Sequence, residues 1–231
     1  MVEFKEERKM TKRMITGLFL LLLMLAGCSG RGVEEVIVNK ESLEDIEEIV
    51  INFASTDVLI SPSETNEMEA NLTVYDDGPG AILAKSAKQL TIELDSDITR
   101  LLNLSKKPAL EVKVPKQFKQ KISLRGSSGN ITGKELLNNE IEIRSSSGNV
   151  NLQFTEMNND IKITTTSGEV SVDFDEEKPN LELDITTKSG RQSIDLTLYD
   201  NSKTKKNLHG ISGNGDHQLK IATKSGNIDL N

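Results

Sequence analysis

The chain has 231 residues, a formal charge of −8, 3% aromatic residues and no Trp. A charged fraction of 28% beside 35% apolar residues fits one large folded domain or two small ones and excludes a wholly disordered chain. One Cys excludes an intramolecular disulfide framework and any zinc site built on several thiolates.

Residues 10–28 read MTKRMITGLFLLLLMLAGC. Lys12 and Arg13 make a positive start, and Leu18 to Ala26 is an apolar run of nine residues. At ~1.5 Å per residue that run is too short for a hydrocarbon layer of ~30 Å, and it fits the hydrophobic segment of a signal peptide. Leu25-Ala26-Gly27-Cys28 resembles the bacterial lipobox, which implies cleavage before Cys28 and a diacylglycerol on its sulfur. A free Cys beside a short core helix is the alternative. The expected division is a lipoprotein signal peptide over 1–27, a tether over 28–35 and a repeat-built β domain over 36–231. Without residues 1–27 the chain keeps 23 basic and 33 acidic residues, a net charge of −10. That excess argues against holding nucleic acid, an anionic membrane or an anionic wall polymer through overall charge. The expected contact with the extracytoplasmic face of the membrane is the diacylglycerol on Cys28.

VNKESLEDIEEIV, residues 38–50, reads as a short helix or a solvated Glu-rich face. IVINFASTDVLI alternates on both sides of Ser55-Thr56-Asp57, and ANLTVYD is a further strand. DDGPG, residues 76–80, is a turn signal. QLTIEL and ALEVKVP are strands, the second ended by Pro115, which removes a ladder N–H. DSDITRLLNLSKKP between them reads as a loop or a short helical turn.

From residue 121 onward a repeat takes over. Ser-Gly steps end at Gly129, Gly148, Gly168, Gly190, Gly213 and Gly226, spaced by 19, 20, 22, 23 and 13 residues. Five residues before each Gly stand Leu124, Ile143, Ile163, Ile185, Leu208 and Ile221. Three before stand the small residues Gly126, Ser145, Thr165, Thr187, Gly210 and Thr223. After the Gly come Ile131, Val150, Val170 and Ile228, then Leu152, Val172, Ile194 and Leu230 on the same face. Period-two alternation around a recurrent bend marks an all-β stacked array. The favoured fold is a β-solenoid with Ser-Gly corners; an antiparallel meander or sandwich is the alternative. In the solenoid the glycines are expected to supply positive φ at the corners. Asn130, Asn149, Asn214 and Asn227 are expected to form an Asn stack broken by Glu169 and Arg191.

The run from LEVKVPKQFKQKISLRGSSGNI through IEIRSSSGNVNL, IKITTTSGEVSV and LELDITTKSGRQSI to LKIATKSGNIDL resembles the "putative adhesin" domain family, of unknown function, over residues 46–231. The resemblance implies a β-helix-like fold in the bacterial cell envelope and a sensory or scaffolding part in envelope stress. It carries no catalytic residues.

The search for chemistry yields little. His209 and His217 lie eight apart with Asp216 nearby, a set that could hold a metal, although exposed or hydrogen-bonded histidines explain them as well. GISGN, residues 210–214, resembles the nucleophile elbow around Ser212, with Asn214 where the motif has Gly. Asp173, Asp175, Glu176 and Glu177, and separately Asp95 and Asp97, could offer oxygens to Ca²⁺, without EF-hand spacing. Ser146, Ser147, Thr166, Ser167 and Thr186 could form a polar strip for a protein or glycan, or satisfy backbone groups at the bends. The expectation is therefore no catalytic residue, metal or cofactor. It is a non-enzymatic, lipid-anchored envelope protein that binds or scaffolds another envelope protein or glycan, and no nucleic acid. A polysaccharide-active enzyme on a β-helix is the alternative.

Overall fold

Period-two alternation produces strands, and in the computed structural model every regular element among the described residues is a strand. Those residues are 34–75, 80–94 and 107–231, within one compact unit, Glu34–Asn231. The strands in chain order are β1 (Glu34–Ser42), β2 (Glu48–Ala54), β3 (Asp57–Ser63), β4 (Glu67–Tyr75), β5 (Ala81–Ser86), β6 (Gln89–Leu94), β7 (Ala109–Pro115), β8 (Lys121–Gly126), β9 (Ile131–Lys134), β10 (Glu140–Arg144), β11 (Val150–Phe154), β12 (Asp160–Thr164), β13 (Val170–Phe174), β14 (Leu181–Thr187), β15 (Gln192–Ile194), β16 (Tyr199–Lys203), β17 (Asn207–Ser212), β18 (His217–Thr223) and β19 (Ile228–Leu230).

They form two sheets. One has the order β1-β4-β7-β3-β9-β11-β13-β19-β15, the other β16-β17-β14-β18-β12-β10-β8-β2-β6-β5. A coil is one strand from each sheet joined by a corner, as in β10–β11 and β12–β13, and successive coils pair in parallel. This is the expected β-solenoid-like stack. Each inner face is a set of aliphatic columns. Ile51, Leu124, Ile143, Ile163, Ile221 and Ile185 follow one another across adjacent strands, each no more than 1% exposed. Val58, Ile131, Val150, Val170 and Ile228 form the matching column on the other sheet. Phe154 and Phe174 stack at 6.1 Å beyond it. All strand pairing described and the whole core cluster lie within residues 34–231, so this segment carries what it needs to fold alone.

Several readings of the sequence are corrected. The stretch 38–50 holds no helix: β1 and β2 flank a turn there, because Ile49, Ile51 and Phe53 alternate into the core. β1 itself begins at Glu34, inside the stretch expected to be a tether. The repeats also do not stack in chain order. The last coil, β18–β19, sits between β12–β13 and β14–β15, so Ile221 separates Ile163 from Ile185. The segment around Leu208 is no coil, since β17 runs antiparallel to β14 with Leu208 opposite Ile185. Residues 76–79 of DDGPG and 95–106 of the loop lie outside the described residues.

A further correction concerns the glycines. Gly129, Gly148, Gly168, Gly190 and Gly226 do not have positive φ; Gly213 does, at 59°, and so does Gly215, at 73°. The five need the missing side chain for a different reason. A Cβ on Gly148 would stand 1.8 Å from the carbonyl oxygen of Gly129, and one on Gly168 1.9 Å from that of Gly148. The same contact, at 1.9 Å, joins Gly226 to Gly168, Gly190 to Gly226 and Gly129 to Thr56. Thr56 thus fills the first-coil position where the sequence lacks Gly. Gly213 is outside the column, in the turn between β17 and β18.

Because the conflict is with backbone, even Ala has no room. Gly148→Ala and Gly168→Ala are each expected to lose about 3 kcal/mol, measured by urea denaturation. Full stability in both would contradict the glycine column. Register gives a second expectation. Ile163→Ala should cost ~2–5 kcal/mol, whereas its exposed neighbour Lys162→Ala should stay within ~0.5 kcal/mol, by the same measurement.

Candidate functional site

The corners build the most regular surface of the molecule. At each one, backbone amides continue the parallel ladder. Ser147 N donates to Ser127 O at 2.7 Å, Ser167 N to Ser146 O at 2.9 Å, and Ser189 N to Lys224 O at 3.0 Å. The glycine amides are buried and need an acceptor. The small residue three positions earlier supplies it: Ser145 Oγ to Gly148 N at 3.3 Å, Thr165 Oγ1 to Gly168 N at 3.2 Å, and Thr223 Oγ1 to Gly226 N at 2.9 Å. These buried hydroxyls hold the bend. Ser146, Ser147, Thr166, Ser167 and Thr186 are exposed instead.

After the glycine, side-chain amides climb the stack. Asp57 Oδ1 accepts from Asn130 N at 2.8 Å, Asn130 Oδ1 from Asn149 N at 3.1 Å, and Asn149 Oδ1 from Glu169 N at 3.0 Å. Asn227 Oδ1 continues it to Arg191 N at 3.1 Å. Asn214 is not in this ladder, and its amide donates to Asn180 Oδ1 at 2.9 Å. The product is an exposed ridge of Ser, Thr and Asn, over buried glycines, along one rim of both sheets.

The opposite rim has an asparagine device that the repeat on Gly did not reveal. Asn138 and Asn159 are 2% and 1% exposed. Asn138 Nδ2 donates to Phe118 O at 2.9 Å, and Asn159 Nδ2 to Leu136 O at 3.1 Å. Asn180 Oδ1 accepts from the amides of Asn214 and Asp216. A spacing of 21 residues, visible in LLNNE, EMNND and EKPNL, was the available signal.

The remaining candidates separate. His209 Nδ1 lies 2.9 Å from Asp184 Oδ1, His217 Nδ1 lies 3.9 Å from Asp160 Oδ1, and Asp216 accepts from Asn180 Nδ2 at 2.8 Å. Among the described residues, the group that could hold a metal ion is Glu182, Asp184 and His209, whose ligand atoms lie within 4.8 Å of one another. Register places Lys220 opposite Asp184 on β18, a positive neighbour that competes with a cation there. Ser212 is fully buried, so its hydroxyl meets no substrate. The acids at the end of β13 are hydrogen-bonded to neighbouring coils: Asp173, on the strand, accepts from Asn231 Nδ2, and past its end Asp175 accepts from Thr155 Oγ1 and Glu176 from Met157 N. Asp95, Asp97 and Cys28 lie outside the described residues. The hollow lined by Pro62, Val114, Phe118, Leu136 and Leu137 is too shallow to enclose a ligand.

On the outer face of β10, Glu142 gathers cations. Its carboxylate lies 2.6 Å from Arg144, 3.3 Å from Lys121 and 3.9 Å from Lys162, with only 12% of the side chain exposed. Burial pushes its carboxyl up, but hydrogen bonds from Arg144 and Lys121 outweigh that and hold it below its ordinary value. The Lys121 ammonium is raised, first by its hydrogen bond to Glu140. A lowered carboxyl adds stability while it is ionised and loses it on protonation. Glu142→Gln is therefore expected to cost about 1 kcal/mol at pH 7, with the gap to the parent closing as the pH falls below 4.5. Urea midpoints of both proteins across that range check it.

With this geometry established, comparison with known proteins gives a consistent result. No curated protein matches the chain. A crystal structure of a "putative cell adhesion protein" from Clostridium sporogenes is similar at a TM-score of 0.61 and 17% identity, covering 87% of this chain and 99% of that one. At that identity the likeness is one of fold. A "putative adhesin" from Bacteroides fragilis matches at a TM-score of 0.36 and 10% identity over 85% of this chain and 97% of its own. A "putative lipid binding protein" from Parabacteroides distasonis matches at 0.28 and 17%, over 87% and 98%. The family model of Toastrack DUF4097 matches twice, over residues 46–139 and 132–231, and together these cover most of the chain. By that match, the chain belongs to the Toastrack DUF4097 family.

Proposed function

We propose that this protein is a non-enzymatic binding module, tethered through Cys28 to the outer face of a bacterial membrane, that docks or scaffolds another envelope component. The observation that carries this reading is the exposed ridge. It is a rigid backbone lattice with polar side chains at the ~4.8 Å spacing of paired strands, suited to contact an extended partner along its length. The adhesin names borne by similar structures support a binding role. The order Lys12, Arg13, Leu18 to Ala26, Cys28 supports the tether. A part in the envelope-stress response is the finer component of the reading, and it rests on the family resemblance.

Crosslinking in intact cells with a photoreactive residue at Ser147, followed by isolation of the adduct, tests the binding role. A discrete envelope adduct from Ser147, absent when the probe stands at Lys178 on the other rim, is the expected result. The tether has its own test. Metabolic labelling with a clickable fatty acid should mark the protein, and Cys28→Ala should lose both the label and the membrane fraction. Unchanged label in that variant would end the anchor reading.

A further inference from the structure

The overall negative charge conceals a local excess of the opposite sign. At the C-terminal end of the ridge, Lys188 and Arg191 flank Gly190, Lys224 precedes Ser225, Lys203 ends β16, and Lys205 and Lys206 occupy the turn between β16 and β17. Backbone contacts make these neighbours: Ser189 N donates to Lys224 O at 3.0 Å, and Thr187 N to Lys206 O at 2.7 Å. All six cations are exposed. None forms an ion pair among the described residues. The acid nearest in the corner columns is Glu169, two coils from Arg191 along the order Glu169, Asn227, Arg191. Of the acids on these coils, Glu182 and Asp184 stand mid-strand on β14, Asp229 mid-strand on β19, and Asp216 on the opposite rim, where Asp160, Asp175, Glu176 and Glu177 of the neighbouring coil also lie.

The other end of the ridge is where the chain enters. β1 pairs antiparallel with β4, and β4 with β7, while β7 runs parallel to β3 away from the corners. Glu34 therefore starts β1 on the corner rim. It lies six positions after Cys28 in the sequence, a span of at most about 20 Å. The cationic cluster lies on the same rim, on the order of 40 Å along the stack at ~4.8 Å per strand.

We propose that this end of the ridge is a second membrane contact: Lys188, Arg191, Lys203, Lys205, Lys206 and Lys224 bind the headgroups of an anionic phospholipid surface, so that the solenoid lies ridge-down on the membrane to which Cys28 ties its other end. The proposal rests on the tether reading for its orientation. A basic patch adds an electrostatic contact to the attachment that buried acyl chains give, and here it would fix the orientation of the domain on the surface. Each Lys or Arg near an anionic leaflet contributes about a fivefold gain in binding, screened by salt.

The segment 34–231, which contains the whole core and lacks Cys28, tests the patch apart from the anchor. It is sedimented with vesicles of phosphatidylcholine alone and with vesicles containing phosphatidylglycerol. The expected result is binding to the anionic vesicles only, falling at least tenfold as NaCl rises from about 50 to 300 mM. Reversing three charges (Lys188→Glu, Lys206→Glu, Lys224→Glu) should weaken it by about a hundredfold or more. Reversing Lys119, Lys134 and Lys178 on the other rim should leave it unchanged. Equal binding to neutral vesicles, no binding to anionic ones, equal loss in the two triple variants, or binding of soluble polyphosphate without binding of vesicles would each overturn the proposal. If the first triple variant fails to fold, the lipid and salt dependence of the parent still decides. Failure of the anchor would show instead as retained label in Cys28→Ala.

Discussion

The structure depends on one close approach: the Cα of each corner glycine against the carbonyl of the corner below. With 1.8–1.9 Å left for a Cβ, no L side chain fits while the backbones keep strand spacing through the bend. A bulkier residue would pry the corners apart and carry the sheets with them. Everything else in the coil follows from preserving that contact. The glycine amide is buried, so Ser145, Thr165 or Thr223 must lie three residues back to accept from it. Between the later coils the register passes through the corner unshifted: Ile141 meets Ile161 on one sheet while Val150 meets Val170 on the other.

Identical columns do not dictate the order of coils. Any coil with an aliphatic at the same offset from its glycine completes the same column, and β18–β19 uses this freedom to insert between β12–β13 and β14–β15. What decides the order is the path between coils. β16 and β17 form an antiparallel hairpin beside β14, and positive φ at Gly213 and Gly215 then reverses the chain into β18. The start of the stack is closed similarly, by β4 and β1 on one sheet and β5 on the other. These caps occupy strand edges that a parallel array would otherwise leave open to pairing with other chains. β16 ends its sheet with every residue exposed.

Much of this was legible. Alternation named the inner face, and Ile143, Ile163 and Ile185 are buried as the register required. Ser55-Thr56-Asp57 was readable as a first corner, and Thr56 does occupy the glycine column. The reason for glycine was not legible, because a need for positive φ and a need for absent volume leave the same letter in the sequence. Nor was the role of Leu208. It stands five residues before Gly213 as a coil residue should, yet β17 runs antiparallel, and a period-two pattern reads identically in both directions. The Glu182, Asp184 and His209 cluster was hidden for a related reason. His209 lies 25 and 27 residues from Asp184 and Glu182 in the sequence and meets them only through the antiparallel pairing of Asp184 with His209. Cys28, the most explicit site in the sequence, lies outside the described residues.

The same geometry explains why composition misjudged the electrostatics. In this stack a residue's offset from its corner glycine fixes which rim it occupies, so charges close together in the sequence can lie on opposite rims. Acids placed where a coil leaves the sheet of β9, β11 and β13, such as Glu135, Glu156 and Glu176, fall on one rim. Basic residues beside the later Ser-Gly steps, such as Lys188 and Lys224, fall on the other. A net charge averages over both and describes neither. At about 10 Å of screening length in ordinary salt, a partner at one rim feels the cations beside it far more than the acids across the sheet. For a solenoid the informative quantity is therefore charge as a function of position within the repeat, and by that measure a chain of formal charge −8 presents a cationic edge.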